Sequence, residues 1–278
     1  MKVREALAEA AARLTPVSDT ARLDAELLMA QALDVEREAL LLHRLDEAAP
    51  ADFEPLVVRR LAHEPMAYIT GRRAFWTIEL EVGPGVLVPR PDSEVLIASA
   101  IEHFEGNDGP ARILDLGTGP GTLLLAALDI WPDATGLGVD VSRGALSYAA
   151  ANARRLGFES RVKLVQGNWA DGLVEKFDLI LCNPPYIADG AELGAGVAEY
   201  EPDEALFAGK EGLDAYRVLA PQLPKRLERG GLAAVEIGHD QAKAVTRLLK
   251  RDGLKAKVAR DLGGRDRALL LTWAKGQA

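Results

Sequence analysis

Asn183-Pro184-Pro185-Tyr186 ends an apolar run, Leu179-Ile180-Leu181-Cys182, on a polar amide. Each proline biases the residue before it toward extended geometry, so the Asn183 side chain and the carbonyls that follow are held at fixed angles. Proline has no backbone N–H, which leaves an edge rich in acceptors. That edge suits a planar –NH2 group, which donates two hydrogen bonds. Such a nitrogen is a poor nucleophile because its lone pair is delocalised. Gripping both hydrogens between the Asn183 side-chain oxygen and the Pro184 carbonyl would aim the lone pair at an incoming electrophile, an orientation effect. Tyr186 can stack on the flat target. The motif alone fits glutamine, adenine and guanine equally.

A second stretch, DLGTGPGT, places Gly117, Thr118, Gly119, Pro120 and Gly121 where a strand gives way to a helix. Glycines there let the backbone approach a ligand closely, and the helix N-terminus offers N–H donors. The pyrophosphate fingerprint of dinucleotide sites is G-x-G-x-x-G, whereas this is G-x-G-x-G behind an acid, Asp115. Asp140 ends the next strand, where a carboxylate can accept from both ribose hydroxyls of an adenosine. The acid before the glycines and the shortened spacing resemble class I S-adenosylmethionine-dependent methyltransferases, whose ligand is a sulfonium without a pyrophosphate. In that resemblance Asn168 and Trp169, after the third strand, meet the adenine.

The elements that must position these residues follow from periodicity. From Pro91 onward seven strand-like runs (ARILDLG, ATGLGVDV, RVKLVQG, FDLILCN, GGLAAVEIG, LKAKVARDL and RALLLTWA) mostly alternate with helical patterns. This predicts an α/β, doubly wound, mostly parallel sheet. Only GGRD separates the last two runs, too little for a crossover helix, so the final strand is expected to be antiparallel. Residues 1–73 read as helices alone. In SDTARLDAELLMAQALD, Leu23, Leu27, Ala30 and Leu33 recur at helical spacing behind Ser18 and Asp19, which predicts a small helical bundle. AFWTIELEV (74–82) alternates like a strand and Gly83-Pro84-Gly85 is a turn pattern, so residues 74–90 predict a β-hairpin linker to a catalytic domain over 91–278.

Bulk properties narrow the partners. Of 278 residues, 48% are hydrophobic and 27% charged, which is ordinary globular composition. The formal net charge of −9 disfavours direct nucleic-acid binding. Lone Cys182 allows no internal disulfide and fits a reducing cytoplasm. The N-terminus lacks a signal-peptide pattern and no run of 18 apolar residues occurs, so a cytoplasmic protein without membrane contact is expected. His43, His63, His103 and His239 lack metal-ligand spacing, and no metal is expected. RPDSE (90–94) is expected either to lie over the cofactor or to serve as helix capping, with Pro91 ahead of a helix and Asp92 and Glu94 in its first turn, and capping is the favoured role.

EPMAYITGRRAFW, VLVPRPDSE, DLGTGPG, NPPYI, YEPDEALFAGKEGL and GGRDRALL occur in the order seen in the peptide chain release factor N(5)-glutamine methyltransferases, the HemK/PrmC family, which the chain resembles over nearly its whole length. The resemblance implies a class I methyltransferase (Rossmann-like) domain, S-adenosyl-L-methionine as cofactor and release factors as protein substrates, with the glutamine of a Gly-Gly-Gln loop as acceptor. It puts cofactor contacts on Gly117 to Gly121, Asp140, Asn168, Trp169 and Asn183. Substrate contacts fall on Asn183, Pro184, Pro185 and Tyr186, with Asn183, Pro184 and Tyr186 catalytic. Asn168 departs from the acid that many relatives carry before the tryptophan. A monomer is expected. The alternative reading is an adenine or guanine amino-methyltransferase gripping a flipped base.

Overall fold

The computed structural model describes residues 1–274. Two compact units emerge: one holds Met1–Arg72 together with Leu193–Glu201, the other the rest from Arg73 onward.

The first unit is helical. Val3–Leu14, Ala21–Leu33, Phe53–Leu61 and Met66–Thr70 surround a core that includes Leu7, Leu14, Leu28, Met29 and Val57. The apolar stripe expected on the second helix is rotated. Ala25, Leu28, Met29 and Ala30 are buried, while Leu23 is 39% exposed. The reason is ionic: the same face buries Asp24, which accepts from Arg60 Nε at 2.8 Å, and Glu26, which pairs with Arg22 at 2.5 Å and Arg37 at 2.6 Å. Thr20, not Ser18 or Asp19, stands at the N-cap. Residues 193–201 contribute the short helix Val197–Tyr200, whose Tyr200 hydroxyl donates to the Ala62 carbonyl at 3.1 Å.

Removing the Asp24 carboxylate leaves a mostly buried guanidinium short of one partner. Hydrogen bonds to charged groups contribute about 1.5 kcal/mol or more, so Asp24→Ala should speed native-state hydrogen exchange of the Ala21–Leu33 amides by about tenfold. Exchange unchanged from wild type would show that the pair holds nothing in place.

In the second unit the hairpin turns earlier than expected. Strands β1 (Arg72–Phe75) and β2 (Ile78–Glu81) pair through Trp76-Thr77, not through Gly83–Gly85. Trp76 adopts φ 54°, and the Thr77 hydroxyl donates to Asp129 Oδ2 at 2.5 Å, which fixes the reversal inside the run that reads as one strand. Residues 86–89 form no strand.

The main sheet contains β3 (Arg112–Leu116), β4 (Thr135–Asp140), β5 (Val162–Gln166), β6 (Phe177–Cys182), β7 (Leu227–Glu236), β8 (Leu254–Arg260) and β9 (Asp266–Trp273). Their spatial order is β5-β4-β3-β6-β7-β9-β8. The first five are parallel, and β9 runs antiparallel to both β7 and β8, as the short GGRD link requires. This is the class I methyltransferase arrangement. Leu179 to Cys182 are wholly buried, as a central strand covered on both faces must be. From β3 the chain crosses to β4 on one side, whereas β6 lies on the other, so the carboxyl ends of β3 and β6 frame the crevice where such sheets bind ligands.

Candidate active site

β3 delivers the glycine turn. Gly117, Gly119 and Gly121 have φ of 72°, 57° and 90°, a left-handed succession that side chains resist. Gly121 is the N-cap of the helix Thr122–Ile130, and a Cβ there would meet Leu125 Cδ1 at 2.8 Å, so it serves packing. At the end of β4, Asp140 Oδ2 accepts from the Gly119 N–H at 2.8 Å and Oδ1 from the Ser142 N–H at 2.9 Å. One carboxylate therefore ties the glycine turn to the β4 end, and each oxygen keeps a second lone pair for a ligand hydroxyl.

A cavity of about 330 Å³ opens there, lined by Gly117, Gly119, Val139, Asp140, Trp169 and Asn183 among others. Trp169, at φ 54°, lies 3.4 Å from the Cβ position of Gly117. Asn168, expected beside it, is exposed and lies outside the lining: the left-handed turn carries only the tryptophan into the cavity. A smaller recess of about 50 Å³ shares Gly117, Gly119 and Asn183 with the cavity and adds Thr118, Pro120 and Asp115.

Asp115 is buried. Its Oδ2 accepts from the Thr118 hydroxyl at 2.7 Å and the Leu124 N–H at 3.2 Å, whereas Oδ1 has no partner among the described residues. Burial pushes its carboxyl up to about 7 against those two hydrogen bonds, and nearby Asp140 adds to the rise. An orphaned carboxylate oxygen in a recess beside an aromatic-lined cavity is complementary to a cationic ligand with a flat ring and a diol. S-adenosyl-L-methionine has all three parts. Asp115 would face its positive end, Asp140 its ribose and Trp169 its adenine.

At the end of β6, Asn183 borders both spaces. Its Nδ2 donates to Ser93 Oγ at 3.1 Å, and Oδ1 has no hydrogen-bond partner among the described residues. Pro185 lines the cavity, whereas Pro184 is buried and outside the lining. Tyr186 turns its hydroxyl away to Glu236 Oε1 at 3.3 Å; burial and the Glu236 carboxylate push its ionisation well up. The Tyr186 carbonyl accepts from Gln241 Nε2 at 2.9 Å, and Gly212 packs so closely that a Cβ there would stand 2.2 Å from that carbonyl. The loop is thus clamped from behind. Beyond it, Ile187 and Asp189 exchange backbone hydrogen bonds with Leu206, Ala208 and Gly209, which brings Pro202, Glu204 and Ala205 to the cavity.

Of the segment RPDSE, Arg90 and Ser93 line the smaller recess. Pro91, Asp92 and Glu94 read as capping chemistry, yet the Asp92 carboxylate pairs with Arg267 at 3.0 Å, and Glu94 accepts from the Trp76 N–H at 3.2 Å. Pro91 does open a helical turn, while the N-cap residue Ser93 makes no side-chain cap bond and sends its hydroxyl to Glu236. Gly85 and Leu87 line the cavity from the segment read as hairpin. Cys182 is buried and burial raises its thiol, which keeps it an inert core residue.

Two family models match, "PrmC N-terminal domain" over residues 5–71 and "Methyltransferase domain" over residues 107–253. The release factor glutamine methyltransferase of Rhodospirillum rubrum is 44% identical over 255 residues, covering 90% of this chain and 78% of that protein. The one from Cereibacter sphaeroides is 41% identical over 275 residues, covering 96% and 97%. A methyltransferase structure from Pyrococcus furiosus superposes with a TM-score of 0.52 at 21% identity, covering 72% of this chain and 90% of that one, and shares the fold. Identity at this level along almost the full length shows that the chain belongs to the release factor glutamine methyltransferase family.

Proposed function

We propose that this enzyme transfers the methyl group of S-adenosyl-L-methionine to the side-chain amide nitrogen of the glutamine in the Gly-Gly-Gln motif of translation release factors, leaving S-adenosyl-L-homocysteine. The observation that carries the reading is Asn183, whose amide borders the cavity with Oδ1 unengaged and Nδ2 tied back to Ser93. When bound, the cofactor supplies an electrophilic methyl group on a sulfonium. Asn183 Oδ1 and the Pro184 carbonyl accept the two amide hydrogens of the glutamine. That grip would fix the plane of the amide, so that the nitrogen lone pair, perpendicular to it, could be presented to the methyl group. On taking up the methyl, the nitrogen would shed one hydrogen as a proton to water, leaving the cofactor as the neutral thioether. Pro185 lines the cavity beside the planar group, Tyr186 braces the loop through Glu236, and no covalent enzyme intermediate is needed.

The net charge of −9 and the identity of the relatives favour a protein acceptor over a nucleic acid. Incubation with labelled methyl donor should add one methyl to a purified release factor. Mass spectrometry should locate it on the Gly-Gly-Gln glutamine, and the label should vanish when that residue is replaced. Label on adenine or guanine of DNA or rRNA, with the release factor unmodified, would replace this reading by base methylation.

A further inference from the structure

We propose that Ser93 and Glu236 are positioning residues that set which end of the Asn183 side-chain amide faces the acceptor, a proposal that rests on the amide-clamp reading above. An asparagine side chain is nearly symmetric in shape, but its two ends are opposite in hydrogen-bonding sense. With Oδ1 toward the cavity it accepts from an –NH2 group; flipped, it presents two donors to two donors and repels the substrate. Something must therefore choose the orientation.

The choice is made behind the clamp. Asn183 Nδ2 donates to Ser93 Oγ at 3.1 Å, and the Ser93 hydroxyl donates to Glu236 Oε2 at 2.5 Å. Glu236 Oε1 accepts from the Tyr186 hydroxyl at 3.3 Å. A carboxylate can only accept, so it obliges Ser93 to spend its proton toward Glu236 and to turn a lone pair to Asn183. Nδ2 is then the only end of the amide that fits. Ser93 is 2% exposed and Glu236 1%, so water does not substitute for either partner. The Tyr216 hydroxyl anchors the Glu236 backbone carbonyl at 3.0 Å, and Arg267 holds Asp92, the neighbour of Ser93, at 3.0 Å. The same carboxylate thus orients both the first and the last residue of the motif.

Protonation reverses the chain. A neutral Glu236 carboxyl donates to Ser93 Oγ, the Ser93 hydroxyl donates to Asn183 Oδ1, and Nδ2 swings toward the acceptor. Facing Glu236 are Asp92 and Ser93 before the helix Glu94–Phe104, Cys182 and Tyr186 at the β6 end, Tyr216 on the helix Asp214–Leu219, and Arg267 on β9. Burial raises the Glu236 carboxyl to about 7, opposed by the Ser93 hydrogen bond, Arg267 and Tyr186, with Asp92 adding to the rise. The sign follows: ionised Glu236 and the productive amide are present above that pH, and both are lost as pH falls through it.

The test uses the full chain in four forms: wild type, Ser93→Ala, Ser93→Thr and Glu236→Gln. Ser93→Ala should lower kcat for release-factor methylation about tenfold with cofactor affinity by calorimetry little changed, and Ser93→Thr, which restores a hydroxyl, should recover most of the loss. Glu236→Gln should lower kcat and flatten its fall below about pH 7. A readout independent of turnover is the Asn183 side-chain NH2 pair in 15N-correlated spectra of the cofactor-free protein, assigned by its loss in Asn183→Ala. It should move with a midpoint near 7 in wild type and stay fixed in Glu236→Gln. Wild-type kcat in both Ser93→Ala and Ser93→Thr, or an Asn183 signal indifferent to pH in wild type, overturns the proposal; should Glu236→Gln not fold, the serine pair and the wild-type titration still decide. A wild-type enzyme that leaves release factor unmodified while methylating a base defeats the functional reading instead, and the serine variants are then compared on that base.

Discussion

Asn183→Ala is expected to cut methyl transfer by about 10² to 10³-fold while leaving the fold and most of the cofactor affinity in place. The size follows from what one well-placed group contributes when a reacting atom must be oriented: a loss of this order accompanies misplacement by about 1 Å or the removal of one preorganised hydrogen-bonding partner. Alanine deletes the acceptor that grips one amide hydrogen and also frees Ser93, whose oxygen then has no Asn183 Nδ2 to receive. The loop itself should survive. Pro184 and Pro185 still fix its backbone, and Gln241 still donates to the Tyr186 carbonyl at 2.9 Å. Single-turnover rates with cofactor pre-bound separate the transfer step from binding and product release. A variant turning over at near the wild-type rate would show that the nitrogen is activated by some other group, and the clamp would have to be abandoned.

The parts of this site that could be read from sequence are those whose geometry is local. Asn183-Pro184-Pro185 fixes its own backbone, and a glycine turn between an apolar run and a helical pattern announces a ligand end of a strand. The antiparallel end of the sheet was equally legible, since GGRD cannot hold a crossover. What stayed hidden depends on partners distant in the chain. Ser93 looks like a helix cap beside Pro91, and only the return of β7 brings Glu236 within 2.5 Å of its hydroxyl. Asp115 reads as the acid that sets this turn apart from a pyrophosphate site, but its burial with one oxygen unsatisfied among the described residues shows only in the fold. The rotated stripe of the helix Ala21–Leu33 has the same origin: Arg60, far along the chain, makes it possible to bury Asp24 in place of Leu23. The hairpin was misplaced because strand alternation continues through Trp76-Thr77, and the bond from Thr77 to Asp129 has no trace in the local pattern. Nor does the sequence hint that residues 193–201, which follow the Asn-Pro-Pro-Tyr stretch, join the helical unit.

Asp140→Ala should weaken S-adenosyl-L-methionine binding by about ten- to a hundredfold. Two losses combine. The direct one is the carboxylate as acceptor for ribose hydroxyls: a hydrogen bond to a charged group contributes about 1.5–3 kcal/mol, and 1.4 kcal/mol is a factor of ten. The indirect one is structural, because Oδ2 holds the Gly119 N–H at 2.8 Å and Oδ1 the Ser142 N–H at 2.9 Å, so alanine releases the glycine turn that forms the cavity wall. Asp140→Asn separates the two. Its remaining oxygen can keep one backbone N–H, but its amide nitrogen faces the other as donor against donor, so the turn should loosen at one point only and affinity should fall to an intermediate value. Because Asn183 keeps its hydrogen bond to Ser93, kcat at saturating cofactor should drop far less than affinity. Isothermal titration of the three proteins, with acceptor absent, measures the effect without turnover. Equal affinity in wild type and Asp140→Ala would remove Asp140 from the cofactor site and leave it only as the brace that ties β4 to the glycine turn.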